Sequence, residues 1–128
     1  MAEIVILGAG VMGSAMSVPA GARGHAIKLV GTHLDEEIVR SVAGNGLHPR
    51  LGITLPPQVK AHAWTELGAA LTPRTDLVIL GVSSAGVGWA IERLVETLRG
   101  PVPVVMITKG LAARDGAHEA VGGLGLMA

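Results

Sequence analysis

The sequence predicts an α/β domain built on a doubly wound, mostly parallel sheet with helices on both faces. Three observations carry that expectation. Short aliphatic runs stop at glycines, as in Glu3-Ile-Val-Ile-Leu7 before Gly8 and Asp76-Leu-Val-Ile-Leu80 before Gly81, which suits strands buried on both sides. Helix-like segments separate these runs, and strand–helix alternation implies parallel pairing through right-handed crossovers. Of the 128 residues 49% are apolar, yet Trp64 and Trp89 are the only aromatic ones besides histidine, so the core has to be aliphatic.

Taken in order, Glu3 to Leu7 reads as the first strand and Val11 to about Ala22 as a helix. Pro19 lies inside that helix and is expected to kink it or end its regular part early. His25 to Val30 forms a second strand, followed by the turn Gly31-Thr32-His33. Thr32 or Asp35 would cap a helix from Asp35 to about Ala43. Gly44 to Pro57, rich in Gly and Pro, reads as an irregular loop. Val59 to His62 is a short third strand, and Thr65 to Leu71 a short helix with Thr65 as its cap. Asp76 to Leu80 and Val102 to Ile107 are the fourth and fifth strands, with a helix from Ala85 to Leu98 between them. The expected strand order is 3-2-1-4-5, with a ligand crevice where the order reverses, beside the first and fourth strands. Residues 1–111 would make the domain, and the weakly patterned 112–128 would close it as a tail.

Several classes of function are disfavoured by composition. A formal net charge of zero offers no electrostatic reason for a nucleic-acid or anionic-membrane partner. The lack of cysteine excludes disulfides, thiolate metal sites and a cysteine nucleophile. No stretch approaches the roughly 18 apolar residues of a membrane span, and no leader pattern opens the chain, so a cytoplasmic location is expected. His25, His33, His48, His62 and His118 lack ligand spacing and read as ordinary surface or loop histidines, with no metal site. Met12, Met16 and Met106 are expected in the core, and Trp89 in the core or at a domain interface. Arg50 and Lys60 read as solvated charges, with a phosphate contact as the alternative.

The segment Gly8-Ala9-Gly10-Val11-Met12-Gly13 is a G-x-G-x-x-G. With nineteen glycines in the chain the spacing alone is weak, but here it follows a buried strand and opens a helix. That context defines the dinucleotide fingerprint of a Rossmann-type fold: Gly8 for the tight turn, Gly10 for approach of the pyrophosphate, Gly13 for close helix packing. Gly8, Ala9, Gly10, Val11, Met12 and Gly13 are therefore candidate cofactor-binding residues, with Val11 and Met12 supplying amides. The competing reading is a tight turn that binds nothing. At the end of the second strand no carboxylate stands where one would meet the ribose 2′-hydroxyl, and Thr32 or His33 would be free to donate to a 2′-phosphate. That favours NADP over NAD, against the plainer reading of Thr32 and Asp35 as helix caps.

Together with later segments, this fingerprint resembles the N-terminal domain of the NAD(P)-dependent glycerol-3-phosphate dehydrogenase family over about Ile4 to Leu111. The matching stretches are G-A-G-V-M-G-S-A, G-H-A-I-K-L-V-G-T, N-G-L-H-P-R-L-G-I-T-L-P, D-L-V-I-L-G-V-S-S and V-V-M-I-T-K-G-L. The G-T-H-L-D turn and the V-S-S segment look more like archaeal-type members. The resemblance implies an oxidoreductase that reduces dihydroxyacetone phosphate to sn-glycerol 3-phosphate with NADH or NADPH. It places Val82, Ser83 and Ser84 along the cofactor and makes Lys109 a catalytic residue contacting substrate. Lys109 follows a strand at the carboxyl edge of the sheet, where a cation holds a phosphate or polarises a carbonyl. The family's helical C-terminal substrate domain, which carries its second catalytic lysine, is absent from this sequence. The chain is therefore expected to be the cofactor-binding part of the enzyme, without a full active site, and to need that domain or self-association to cover its apolar surface. Two other readings stand beside it: a 6-phosphogluconate- or ketopantoate-reductase-like dehydrogenase, and a non-catalytic nucleotide-binding or regulatory module.

Overall fold

The computed structural model describes residues 2–82, 86–98, 100–107 and 126–127. Strands β1 (Glu3–Leu7), β2 (Ala26–Val30), β5 (Val59–His62), β6 (Leu77–Leu80) and β7 (Val104–Met106) pair in parallel in the order β5-β2-β1-β6-β7. Counted along the parallel sheet, this is the expected order 3-2-1-4-5, with the reversal between β1 and β6. A further short strand, β8 (Leu126–Met127), adds antiparallel to β7 at the edge; the sequence offers no periodicity from which a two-residue strand can be read.

Alternation along each strand divides the core in two. Val5, Leu7, Val30, Val78, Leu80 and Val104 share one face with Leu67 and Ala70 of α3 (Leu67–Ala70) and Ala90 and Leu94 of α4 (Val87–Thr97). Ile4, Ile6, Ile27, Leu29, Val59 and Ile79 share the other with Val18 and Ala20 of α1 (Val11–Ala22) and Ile38 and Val42 of α2 (Glu36–Asn45). The period-2 pattern thus places aliphatic side chains on both sides of the central strands β1 and β6, as a covered parallel sheet requires. Lys28 interrupts this pattern on the α3 face. Its ammonium donates to the Ala70 carbonyl at 3.0 Å and lies 3.9 Å from the Glu3 carboxylate, so the charge is matched at the end of α3.

Four sequence expectations are corrected. Helix α1 runs through Pro19 to Ala22 instead of ending early. Pro19 and Ala15 are both exposed, so the carbonyl deprived of a donor can be met by water. The Gly44–Pro57 loop contains an antiparallel hairpin, β3 (Leu47–His48) with β4 (Ile53–Thr54), too short to leave a pattern in the sequence. Thr65 lies inside a 3-10 turn (Trp64–Glu66) rather than capping it; the Ala63 N–H donates to the Glu66 carboxylate at 3.1 Å. Met12 and Met16 are 41% and 39% exposed because they fall on the outer face of α1, whereas Met106 is partly buried against the α3/α4 side of the core.

The carboxyl ends of β1 and β6 meet the start of α1 with no side chains between them. Gly8 has φ +116°, and a Cβ there would lie 2.5 Å from the Gly81 carbonyl oxygen. A Cβ on Gly13 would collide with the Gly8 carbonyl, and one on Gly81 would lie 2.6 Å from the Gly13 Cα. The obstructing atoms are backbone and cannot turn away. Gly81→Ala is therefore expected to lower the unfolding free energy by about 2 kcal/mol or more in urea titrations. A variant as stable as the parent would show that α1 can move off the sheet at little cost.

Candidate functional site

Where the strand order reverses, a crevice of about 260 Å³ opens, lined by Gly10, Thr32, His33, Asp35, Arg50, Gly81, Val82 and Trp89 among others. Its floor is the turn from β1 into α1. Gly10 caps α1 with φ −69°, an ordinary conformation for any residue, and a Cβ added there would meet nothing within 4 Å. Gly8 and Gly13 are thus demanded by the fold, whereas Gly10 is not; its bare face looks into open space. Among the described residues no side chain caps α1, and its first turn carries no acidic residue. The helix itself therefore supplies no anion to its positive end.

The Ala9 backbone is bonded on every polar atom. Its N–H donates to Asp35 Oδ2 at 3.0 Å. Its carbonyl accepts from the Ser14 hydroxyl at 2.9 Å and lies 2.8 Å from His48 Nε2, which fills both lone pairs. Ser14 and His48 are fully buried. His48 overturns the expectation of an ordinary loop histidine: β3 turns its ring inward beneath the glycine turn, where a polar ring has to find partners.

Asp35 arrives late in the sequence but is folded back under the turn. Oδ2 accepts from the Thr32 N–H at 2.9 Å and the Thr32 hydroxyl at 3.0 Å, as well as from Ala9. Neither Thr32 nor Asp35 caps α2 with a side-chain bond. The Thr32 hydroxyl also accepts the Leu34 N–H at 3.2 Å. Its hydrogen is committed to Asp35, so a donation from Thr32 to a ligand would require that bond to be exchanged.

Two further groups reach the crevice that the sequence singled out for other roles or only in passing. Arg50, exposed at the tip of the β3–β4 hairpin, lines the same crevice as Thr32 and Asp35. Trp89 packs against the α3/α4 core and also lines the crevice. Its ring centroid lies 5.0 Å from that of His33 and 5.9 Å from that of Trp64, and the Arg93 guanidinium sits 5.8 Å above it. Gly8, Ala9, Gly10, Val11, Met12, Gly13, Thr32 and Val82 are all gathered at this end of the sheet, with Val82 directly beyond β6 and 8% exposed. Ser83, Ser84 and Lys109 lie outside the described residues, as does most of 112–128. Sequence reasoning missed His48, Asp35, Ser14 and Gly81 as parts of this turn. The one available signal was for Gly81, which directly follows a strand ending at the same sheet edge.

The family described as NAD-dependent glycerol-3-phosphate dehydrogenase N-terminus matches residues 3–121. The chain is 38% identical over 112 residues to the NADP(+)-dependent glycerol-3-phosphate dehydrogenase of Archaeoglobus fulgidus, covering 88% of this chain and 32% of that protein. It is 29% identical over 119 residues to the glycerol-3-phosphate dehydrogenase [NAD(P)+] of Desulfitobacterium hafniense, covering 93% and 32%. Among solved structures, the glycerol-3-phosphate dehydrogenase of Coxiella burnetii superposes with a TM-score of 0.75 at 25% identity, over 96% of this chain and 37% of that one. The chain spans about a third of the length of these curated relatives. These matches favour the glycerol-3-phosphate dehydrogenase reading over the reductase-like and regulatory alternatives. By sequence and by fold, the chain belongs to the family of glycerol-3-phosphate dehydrogenase N-terminal domains.

Proposed function

We propose that this chain is the cofactor-binding part of an NAD(P)-dependent oxidoreductase that reduces dihydroxyacetone phosphate to sn-glycerol 3-phosphate. The observation that carries the cofactor reading is the open face of Gly10 in a turn where Gly8 and Gly13 are already required by packing. Backbone without a side chain, at an uncapped helix start, suits a pyrophosphate. Gly8 to Gly13 form that cradle, with Val11 and Met12 supplying amides, and Thr32 stands at the adenosine ribose. Val82, Ser83 and Ser84 lie along the nicotinamide end. The nicotinamide, when bound, supplies the hydride. Lys109 contacts the substrate, either its phosphate or its carbonyl oxygen.

The substrate specificity rests on family membership, and the relatives' greater length is consistent with further substrate-binding groups in a helical C-terminal domain. Residues 1–111 form the Rossmann unit and 112–128 complete it; the pairing of β8 with β7 supports counting the tail as part of the same domain. The partner is a small molecule rather than nucleic acid, self-association or a second domain covers the apolar face, and the location is cytoplasmic. Among the described residues no helix is long and apolar enough to cross a membrane.

NADP is the preferred cofactor. Arg50 lines the same crevice as Thr32, and an arginine near the ribose accommodates a 2′-phosphate. The Asp35 oxygen that would repel it is engaged by three donors. Trp89 makes binding visible, since it lines the crevice and is one of only two tryptophans. Fluorescence or calorimetric titration is expected to show saturable binding of NADPH, tighter than that of NADH. Arg50→Ala should remove about tenfold or more of that preference, in line with a charge-assisted hydrogen bond. A folded chain that binds neither dinucleotide would overturn the reading.

Gly10→Val separates binding from folding. Its stability should change by no more than about 1 kcal/mol, the scale of a helix cap, while affinity for both dinucleotides falls at least about tenfold through loss of the pyrophosphate contact. Unchanged affinity would place the pyrophosphate elsewhere.

A further inference from the structure

We propose that His48 is a positioning residue that couples the pyrophosphate cradle to the arginine that selects the cofactor. The inference rests on reading the crevice as an NAD(P) site. The ring is fully buried, and both its nitrogens are engaged. Nδ1 receives the backbone N–H groups of Arg50 and Leu51, each at 3.2 Å, so it carries no hydrogen. The ring proton therefore sits on Nε2, which donates to the Ala9 carbonyl at 2.8 Å. Donor and acceptor counts admit only this neutral tautomer.

Each bond acts on a different part of the site. The Ala9 carbonyl and the Gly10 N–H belong to one planar trans peptide and point in opposite directions; no cis peptide bond occurs among the described residues. Drawing the carbonyl inward onto His48 and Ser14 turns the Gly10 amide outward, to where a pyrophosphate oxygen would stand. On the other side of the ring, Nδ1 fixes the backbone of the hairpin tip. Arg50, whose side chain is exposed, thereby starts from a set backbone position on the lining of the crevice that Thr32 and Asp35 also line. The Ser14 hydroxyl supports the carbonyl alone, and Asp35 joins the Ala9 amide to Thr32; His48 is the group that reaches both the turn and the hairpin.

Two substitutions divide the ring's functions. His48→Gln keeps an N–H donor near the Nε2 position and loses the Nδ1 acceptor. His48→Asn keeps an acceptor near Nδ1 and cannot reach Ala9. We expect His48→Asn to weaken NADH and NADPH alike, by about tenfold, with their ratio unchanged. His48→Gln should leave NADH affinity within about threefold of the parent and reduce the preference for NADPH by about tenfold. Both are measured by titration well below each variant's unfolding midpoint. A common loss in both variants, with no difference in cofactor ratio, would reduce His48 to a packing residue and overturn the proposal. Nitrogen-15 NMR of the parent chain gives a test independent of variant folding: Nε2 should appear protonated and Nδ1 bare, and the opposite tautomer would overturn it. Arg50→Ala isolates the underlying reading. If that variant keeps its NADPH preference, the selectivity reading fails and the coupling to Arg50 falls with it. If it loses the preference while His48→Gln does not, the coupling alone is wrong.

Discussion

Everything at the functional end of this domain depends on three backbones that meet without side chains at Gly8, Gly13 and Gly81. Strand β1 has to turn sharply into α1 while β6 ends beside it, and the available gap is narrower than a methyl group. The two halves of a doubly wound sheet diverge from this point, so the crevice and the steric bottleneck are the same place. Gly10 has a different status. Its backbone conformation is unremarkable and its surroundings are empty, so its advantage lies in what approaches it from outside.

The second requirement is polar. A turn pressed between two strands and a helix buries the Ala9 peptide, and a buried unpaired carbonyl or amide would cost about 1–3 kcal/mol. Asp35, Ser14 and His48 meet all of its bonding capacity from three different elements. The direction of the turn is thereby held from beneath, leaving its outer surface to a ligand. The arrangement also assigns Asp35 an internal task. A carboxylate at the ribose end would repel a 2′-phosphate, yet Oδ2 is held by the Ala9 and Thr32 donors. Arg50 then contributes the cation that a phosphate needs.

The opposite wall of the crevice is aromatic. Trp89 joins His33, Trp64 and Arg93 at distances suited to tilted and edge-on contacts. Because α4 packs its small and aliphatic residues on the sheet, Trp89 can span from the core to the crevice. In a chain whose core is otherwise aliphatic, the aromatic side chains are concentrated at the ligand end.

Local pattern by itself determined the architecture of this protein. Apolar runs alternating with helical segments mark the five parallel strands, three of them stopping at glycines, and because alternate residues face opposite sides of a strand, the central runs also require helices on both faces. The glycine fingerprint is equally legible, since its three positions lie within six residues and obey one turn. Tertiary structure alone decided which of those glycines the fold requires and which it leaves open. That depends on Gly81, distant in sequence, closing against Gly8 and Gly13. It also decided that Pro19 leaves α1 intact, that Met12 and Met16 face outward, and that a featureless loop pairs as a hairpin. His48 shows the physical reason most clearly: its burial and its partners are separated by up to 39 residues along the chain. Hydrogen bonds across that separation leave no periodicity in the sequence, and only the folded chain brings the ring beneath the turn it orients.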